Sequence, residues 1–187
     1  MKNIIRKLNK NSKVNILASS SNNFSIELIH KVGKKDFHSI KKISQSLVKD
    51  LGSQAELSDN IVLKYFNNNT FAFIARLNNN IIGYIVGVPL EIFKTESWSH
   101  FDINLDKENT IYTYSFAFDP HYRRKNGYAK TLKRLYSNHI KKRGYKYITG
   151  HVQQGITQNF NYDVDIVKIF PTWYSQKKPF EYYRRQL

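Results

Sequence analysis

The stretch Phe116-Ala117-Phe118-Asp119-Pro120-His121-Tyr122-Arg123-Arg124-Lys125-Asn126-Gly127-Tyr128-Ala129-Lys130 decides how this chain folds. An apolar strand, Thr110 to Phe118, ends at Asp119-Pro120 and enters a basic turn, and near Gly127 an amphipathic helix opens. On that helix Tyr128, Leu132, Leu135 and His139 share a face with Ala129, Tyr136 and Ile140 beside them. Lys130, Lys133, Arg134 and Lys141 lie mostly opposite, and Arg143-Gly144 stops the run. The first turn of a helix presents converging N–H donors and the positive end of the macrodipole, which suits a diphosphate. Gly127 and Ala129 are small enough for phosphates to reach those amides, and Arg123, Arg124 and Lys125 add positive charge. The pattern is neither GxxxxGK[ST] nor GxGxxG. A glycine beside cations at a helix start also occurs with no ligand, and spacing alone leaves both readings open.

Around this segment the chain reads as alternating strands and helices. Residues 1–22, rich in Asn, Ser and Lys and without a clear period, read as a flexible or loosely docked arm. The fold then begins as one domain over 23–187, with a strand from Phe24 to Val32 and a helix from Lys35 to Asp50 carrying Phe37, Ile40, Ser44, Leu47 and Leu51 on one face. A short helix follows from Ser58 to Phe66, capped by Ser58 or Asp59. Phe71 to Leu77 and Ile81 to Leu90 form a hairpin across Asn78-Asn79-Asn80, Asn being tolerant of positive φ. Glu91 to Asn109 reads as a charged surface excursion. Tyr145 to Val152 is a further strand, Asp163 to Phe170 a short helix halted by Pro171, and Pro179 to Arg185 the end of the sheet.

Composition narrows the chemistry. The 187 residues are 41% apolar and 14% aromatic, enough for a sizeable core, and contain no cysteine. Disulfides, thiolate metal sites and a covalent cysteine intermediate are thereby excluded; no metal is expected, and a reducing, cytoplasmic setting fits. Basic residues interrupt the apolar ones near the N-terminus, and the longest apolar run is too short to span a bilayer, so neither secretion nor a membrane partner is indicated. Net charge is +16, unevenly spread: between Pro120 and Tyr162 there are ten Lys or Arg and no acid, whereas Glu91, Glu96, Asp102, Asp106 and Glu108 crowd the excursion. One region suits an anion and the other a cation.

The segment Arg124-Lys125-Asn126-Gly127-Tyr128-Ala129 resembles the R/Q-x-x-G-x-G/A signature of the GCN5-related N-acetyltransferase (GNAT) superfamily, and the hairpin FAFIARLNNNIIGYIVG resembles that family's second and third strands. The resemblance runs from about Phe24 to Val152 in element order. It implies an α/β (α+β) fold with a mixed, mostly antiparallel central sheet, helices on both faces and a splayed strand pair that binds acyl-CoA. It also implies acetyl transfer from acetyl-CoA, a co-substrate, to a primary amine by direct attack in a ternary complex. Phe116, Ala117 and Phe118 would pair with the pantetheine arm, and Arg123 to Lys130 (Arg123, Arg124, Lys125, Asn126, Gly127, Tyr128, Ala129 and Lys130) would hold the pyrophosphate, with Asn161 further on.

Such a reaction needs a base for the ammonium, a donor for the oxyanion and an acid for the departing thiolate. His151, whose ordinary pKa suits a proton relay, and Glu91 are the candidate bases. Tyr114, with Tyr112, is a candidate pocket residue. The family's tyrosine acid is not found at its expected distance, where Lys168 stands instead, and Tyr174, Tyr162 or solvent are the replacements. The acids of the excursion hint at a cationic acceptor, whether a polyamine, an aminoglycoside, or a lysine or N-terminal amine of a protein. A homodimer is compatible with this reading. Two alternatives remain: a CoA-sensing domain without catalysis, and a nucleic-acid-binding module using Lys130, Lys133, Lys141, Lys142 and Arg143 with the basic aromatic tail Phe180, Tyr182, Tyr183, Arg184 and Arg185.

Overall fold

A computed structural model describes residues 7–160, 163–173 and 178–187. Eight strands form one mostly antiparallel sheet: β1 (Lys13–Ser19), β2 (Phe24–Lys31), β3 (Phe71–Leu77), β4 (Asn80–Pro89), β5 (Thr110–Phe118), β6 (Tyr147–Gln153), β7 (Asp165–Phe170) and β8 (Phe180–Gln186). Their order is β1-β2-β3-β4-β5-β6-β8-β7, with β5 and β6 pairing in parallel. The helices are α1 (Lys34–Gln45), α2 (Val48–Leu51), α3 (Asp59–Tyr65) and α4 (Tyr128–Lys142). Among the described residues no helix is long and apolar enough to cross a membrane.

The chain packs as two compact units. Unit one holds the residues up to Val86 together with Ser115–Tyr136; unit two holds Gly87–Tyr114 and the described residues from Ser137 on. In unit one, Ile26 and Ile29 of β2, Phe37 and Ile40 of α1, Phe73 and Ile74 of β3, and Leu132 and Tyr136 of α4 are fully or almost fully buried. The rings of Phe73 and Tyr136 meet edge-on at 5.6 Å. Arg76 reaches both the Glu27 carboxylate, at 3.0 Å, and that of Asp36, at 2.9 Å, so two buried acids share one cation. Losing that cation would leave both carboxylates uncompensated, the expensive way to break a buried pair. In unit two, Leu90, Trp98, Ile111, Tyr112, Ile148 and Tyr182 form the centre.

The hairpin β3–β4 forms as the Asn run dictates, with Asn78 and Asn79 at φ 47° and 64°. Ser58 caps α3 by accepting from the Ile61 amide. Four expectations are corrected. Within the arm, Lys13–Ser19 is strand β1, antiparallel to β2. The helix foreseen over Lys35 to Asp50 breaks after Gln45, where the Ser46 and Leu47 amides turn back to Ile43 and Ser44. Asp163 to Phe170 contains strand β7 rather than a helix, because a register shift between Ile166 and Lys168 interrupts the alternation by which a strand is recognised. The terminal strand β8 lies between β6 and β7 and therefore does not end the sheet.

Candidate active site

In unit one the strand end and the turn are fastened to each other. A side chain at Gly83 would place its Cβ 2.6 Å from the Phe118 ring, so the bare glycine lets that ring lie against β4. The Asp119 amide donates to the Ile82 carbonyl at 2.9 Å, which fixes where β5 stops. Asp119 then caps a single 3-10 turn, Pro120–Tyr122, by accepting from the His121 amide. Beyond it the backbone takes the left-handed conformation at Arg124 (φ 60°), Asn126 (φ 50°) and Gly127 (φ 67°). Asn tolerates this and Gly meets no penalty, whereas Arg124 is held there at a cost.

The amides of Arg124, Asn126, Gly127, Ala129 and Lys130 have no hydrogen-bond partner among the described residues, and nothing lies within 4 Å of a Cβ built on Gly127. Arg124, Lys125, Asn126 and Lys130 are exposed. Five amides without partners among the described residues, under exposed cations at the start of a 15-residue helix, are donors of the kind an anion can use. Tyr128 packs on Phe24 with ring centroids 4.6 Å apart, and its hydroxyl accepts from Asn126 at 3.2 Å.

Arg123 is placed differently from its neighbours. Its Nε donates to the Phe118 carbonyl and a terminal nitrogen to Ser46 Oγ, both at 3.0 Å, so it braces the turn against the end of α1. Ser46 had given no signal in the sequence, since its part depends on the break in the helix. Ala117 and Phe118 are buried, and the half-buried Phe116 ring carries the Lys133 ammonium 4.6 Å from its centroid. The parallel ladder of β5 with β6 covers Thr110–Tyr112 against Tyr147–Thr149, and Thr113 to Phe118 lie outside it. Asn161, Tyr162 and Tyr174 fall outside the described residues.

Unit two gathers His151, Tyr112 and a ring of aromatics that sequence reading had not connected. His151 is stacked between Trp173, at 3.5 Å, and Tyr182, at 4.7 Å, with Trp98 edge-on at 5.0 Å. Its Nδ1 and the Tyr112 hydroxyl are 3.0 Å apart, while Nε2 is buried without a partner among the described residues. Burial pushes its pKa down to about 3. The ordinary pKa that suggested a proton relay is therefore not the one His151 has: the imidazole is neutral at pH 7 and a weak base. Burial, then Asp102, push the Tyr182 hydroxyl up. Tyr114 lies parallel to Phe93 at 6.2 Å.

The acids of the excursion are mostly engaged within unit two. Asp102, buried, accepts from Tyr182 at 2.9 Å and from Arg184 at 3.0 Å, and Asp106 pairs with Lys94. Glu91 accepts from the Glu108 amide through one oxygen, and its other oxygen is buried without a partner among the described residues. Asp102 and Asp106 are thus spent on folding the excursion, where Trp98, Ser99, Asp102 and Asn104 are buried, while the Glu96 and Glu108 side chains stay exposed. The basic aromatic tail is likewise internal: Phe180, Tyr182 and Tyr183 are core, Arg184 lies on Asp102 and Asp165, and Arg185 donates to Ser137.

A mixed sheet whose fifth strand delivers a cationic, amide-lined turn to the head of a long helix is the arrangement expected of the acyltransferase family that the turn motif resembles. The model of the Acetyltransferase (GNAT) family matches residues 40–159, and the chain belongs to that family. The fold is that of Ard1 from Thermoplasma volcanium (TM-score 0.64, 16% identity, 88% of this chain and 98% of that one). It is also that of the ribosomal-protein-S18-alanine N-acetyltransferase from Escherichia coli (TM-score 0.60, 13% identity, 87% and 93%). An aminoglycoside 6'-N-acetyltransferase complexed with coenzyme A is similar too (TM-score 0.54, 11% identity, 80% and 89%). No curated protein matches the chain significantly.

Proposed function

We propose that this enzyme transfers an acetyl group from acetyl-CoA to a primary amine, with the amine attacking the thioester directly. The observation that carries the proposal is the set of open amides at Arg124, Asn126, Gly127, Ala129 and Lys130, beneath side chains that are cationic or small. A pyrophosphate accepts from several donors at once, and a helix start with no negative side chain in its first turn suits it. The CoA complex among the structural relatives agrees with the same carrier. Phe116 to Phe118, outside the ladder with β6, are the backbone we assign to the pantetheine arm and the oxyanion.

The thioester is already activated, so alignment, removal of a proton from the amine, stabilisation of the oxyanion and protonation of the departing thiolate are the remaining requirements. The nitrogen lone pair forms the C–N bond, the carbonyl oxygen carries the negative charge of the tetrahedral intermediate, and the C–S bond breaks to release CoA thiolate. For the proton we assign Glu91 in preference to His151. Glu91 is a carboxylate held by the Glu108 amide just past β4, whereas the imidazole is held neutral and weakly basic by burial. His151, Tyr112 and the aromatic ring around them then shape unit two rather than shuttle protons.

A panel of primary amines, scored by release of free thiol from acetyl-CoA, tests the reaction. Turnover with at least one amine class is expected, and Glu91→Gln should lower kcat by about a hundredfold or more while acetyl-CoA affinity is retained. Full activity of Glu91→Gln would move the base elsewhere.

A further inference from the structure

The charge is concentrated in one part of the molecule. Residues 1–86 and 115–136 hold nineteen Lys and Arg against six Asp and Glu, the rest of the chain eleven against eight. Within unit one the acids are mostly committed: Glu27 and Asp36 to Arg76, Asp59 to Lys41 and Asp119 to His121.

One group of lysines stands apart from the turn. Lys13 of β1 is directly opposite Lys31 of β2, and both are exposed. The Lys10 carbonyl accepts from the Lys35 amide and the Asn9 carbonyl from the Lys34 amide, which brings the arm onto the start of α1. Ser12 Oγ accepts from the Gly33 amide at 2.8 Å, and Gly33 has no room for a Cβ, which would sit 2.2 Å from Asn11. Lys10, Lys13, Lys31, Lys34 and Lys35 are thus held together by backbone bonds, and none has a carboxylate partner among the described residues.

Folding alone would not favour this arrangement. Like charges directly opposite on paired strands repel, and lysines in the first turn of a helix oppose its macrodipole. The acid of that turn, Asp36, is buried and turned to Arg76. A cluster that works against both rules is relieved by a polyanion.

We infer that Lys10, Lys13, Lys31, Lys34 and Lys35 form a surface that binds the phosphodiester backbone of a nucleic-acid duplex, separate from the coenzyme turn. Asn11 and Ser12 lie between Lys10 and Lys13, with Asn9 and Asn15 close on either side, side chains of types that hydrogen-bond phosphate and sugar. No Phe, Tyr or Trp occurs over 7–19 or 30–35, so there is no stacking platform for unpaired bases. Ile16 is the exposed large apolar side chain of β1, little for a lipid surface to accept. The same lysines side by side favour a regular, rigid phosphate array over a flexible acidic peptide.

The test is fluorescence anisotropy of a labelled short RNA duplex with the full chain. Affinity should fall roughly a hundredfold between 50 and 200 mM salt if four or five phosphates are neutralised. Replacing Lys10, Lys13 and Lys31 together by Gln should weaken binding about tenfold or more at low salt and flatten the salt slope by about one unit per lysine. The same variant should keep its acetyl-CoA affinity and should not melt earlier, since repulsion is relieved. A second triple, Lys141→Gln, Lys142→Gln and Arg143→Gln, removes equal charge elsewhere and should cost less. Equal losses from the two triples would mean net charge alone; equal losses, no loss from the first triple, or binding to anionic phospholipid vesicles without binding to the duplex would each overturn the proposal.

Discussion

Gly127 and His151 show what a sequence reveals about single positions and what it hides. The glycine stood out through the turn motif that resembles the family signature, since spacing alone left its reading open. Its φ of 67° adds a second reason for it, as any Cβ there is strained though not blocked. Gly127→Ala should therefore cost about 1 kcal/mol in denaturant unfolding while acetyl-CoA binding survives. His151 was visible as a histidine near a strand end, but its surroundings were not: Trp98 and Trp173 come from distant segments. Its folded pKa, about 3, lies below the ordinary 6.5, so the unfolded chain takes up the proton first. Stability is complete above about pH 6.5 and is lost as pH falls toward 3, by up to about 1.4 kcal/mol per pH unit. His151→Phe should flatten that part of the stability–pH curve in urea titrations at pH 7 and pH 5. An unchanged slope would assign the loss to other groups.

Strands and helices were read well where their periods ran unbroken and poorly where they did not. Thr110 to Phe118 was recovered with its boundaries intact because Asp119-Pro120 stops it sharply. In β1 the register shifts between Lys13 and Val14 and again between Ile16 and Ala18, which erases the alternation. In β7, Ile166, Val167, Ile169 and Phe170 fall at i, i+1, i+3 and i+4, a helical spacing that the shift there produces. The break after Gln45 hid for another reason: Ser44 and Ser46 hydroxyls donate to the Lys41 and Ile43 carbonyls and compete with helical bonding, while the apolar spacing continues through Leu47 and Leu51. That break presents Ser46 to Arg123. Arg123→Ala should raise KM for acetyl-CoA about tenfold with kcat little changed, because the brace on Phe118 and the turn is lost rather than a reacting group. At the other end of α1, Gly33→Ala should lift the arm, costing about 1–3 kcal/mol and speeding hydrogen exchange at the Lys34 and Lys35 amides.

For the protein entire, family and fold were within reach of the sequence, since a turn motif, a hairpin and an order of elements all agreed with one another. The surroundings of Glu91 and His151 were not, because they are assembled from the excursion, β6 and β8, and because Asp102 and Asp106, which looked free, are paired with Arg184 and Lys94. Net charge was legible in its size and in its unevenness along the chain, but the grouping of Lys10, Lys13, Lys31, Lys34 and Lys35 emerged only once β1 was seen against β2 and α1. All of these functional statements stand on the open amides of one cationic turn in a GNAT-family enzyme. Calorimetric titration of acetyl-CoA into the protein and into Gly127→Glu tests this most directly. Saturable heat with the unaltered chain, and none with the variant despite an intact fold by circular dichroism, is the predicted result. Equal affinity in both, or no heat in either at millimolar acetyl-CoA, would contradict it.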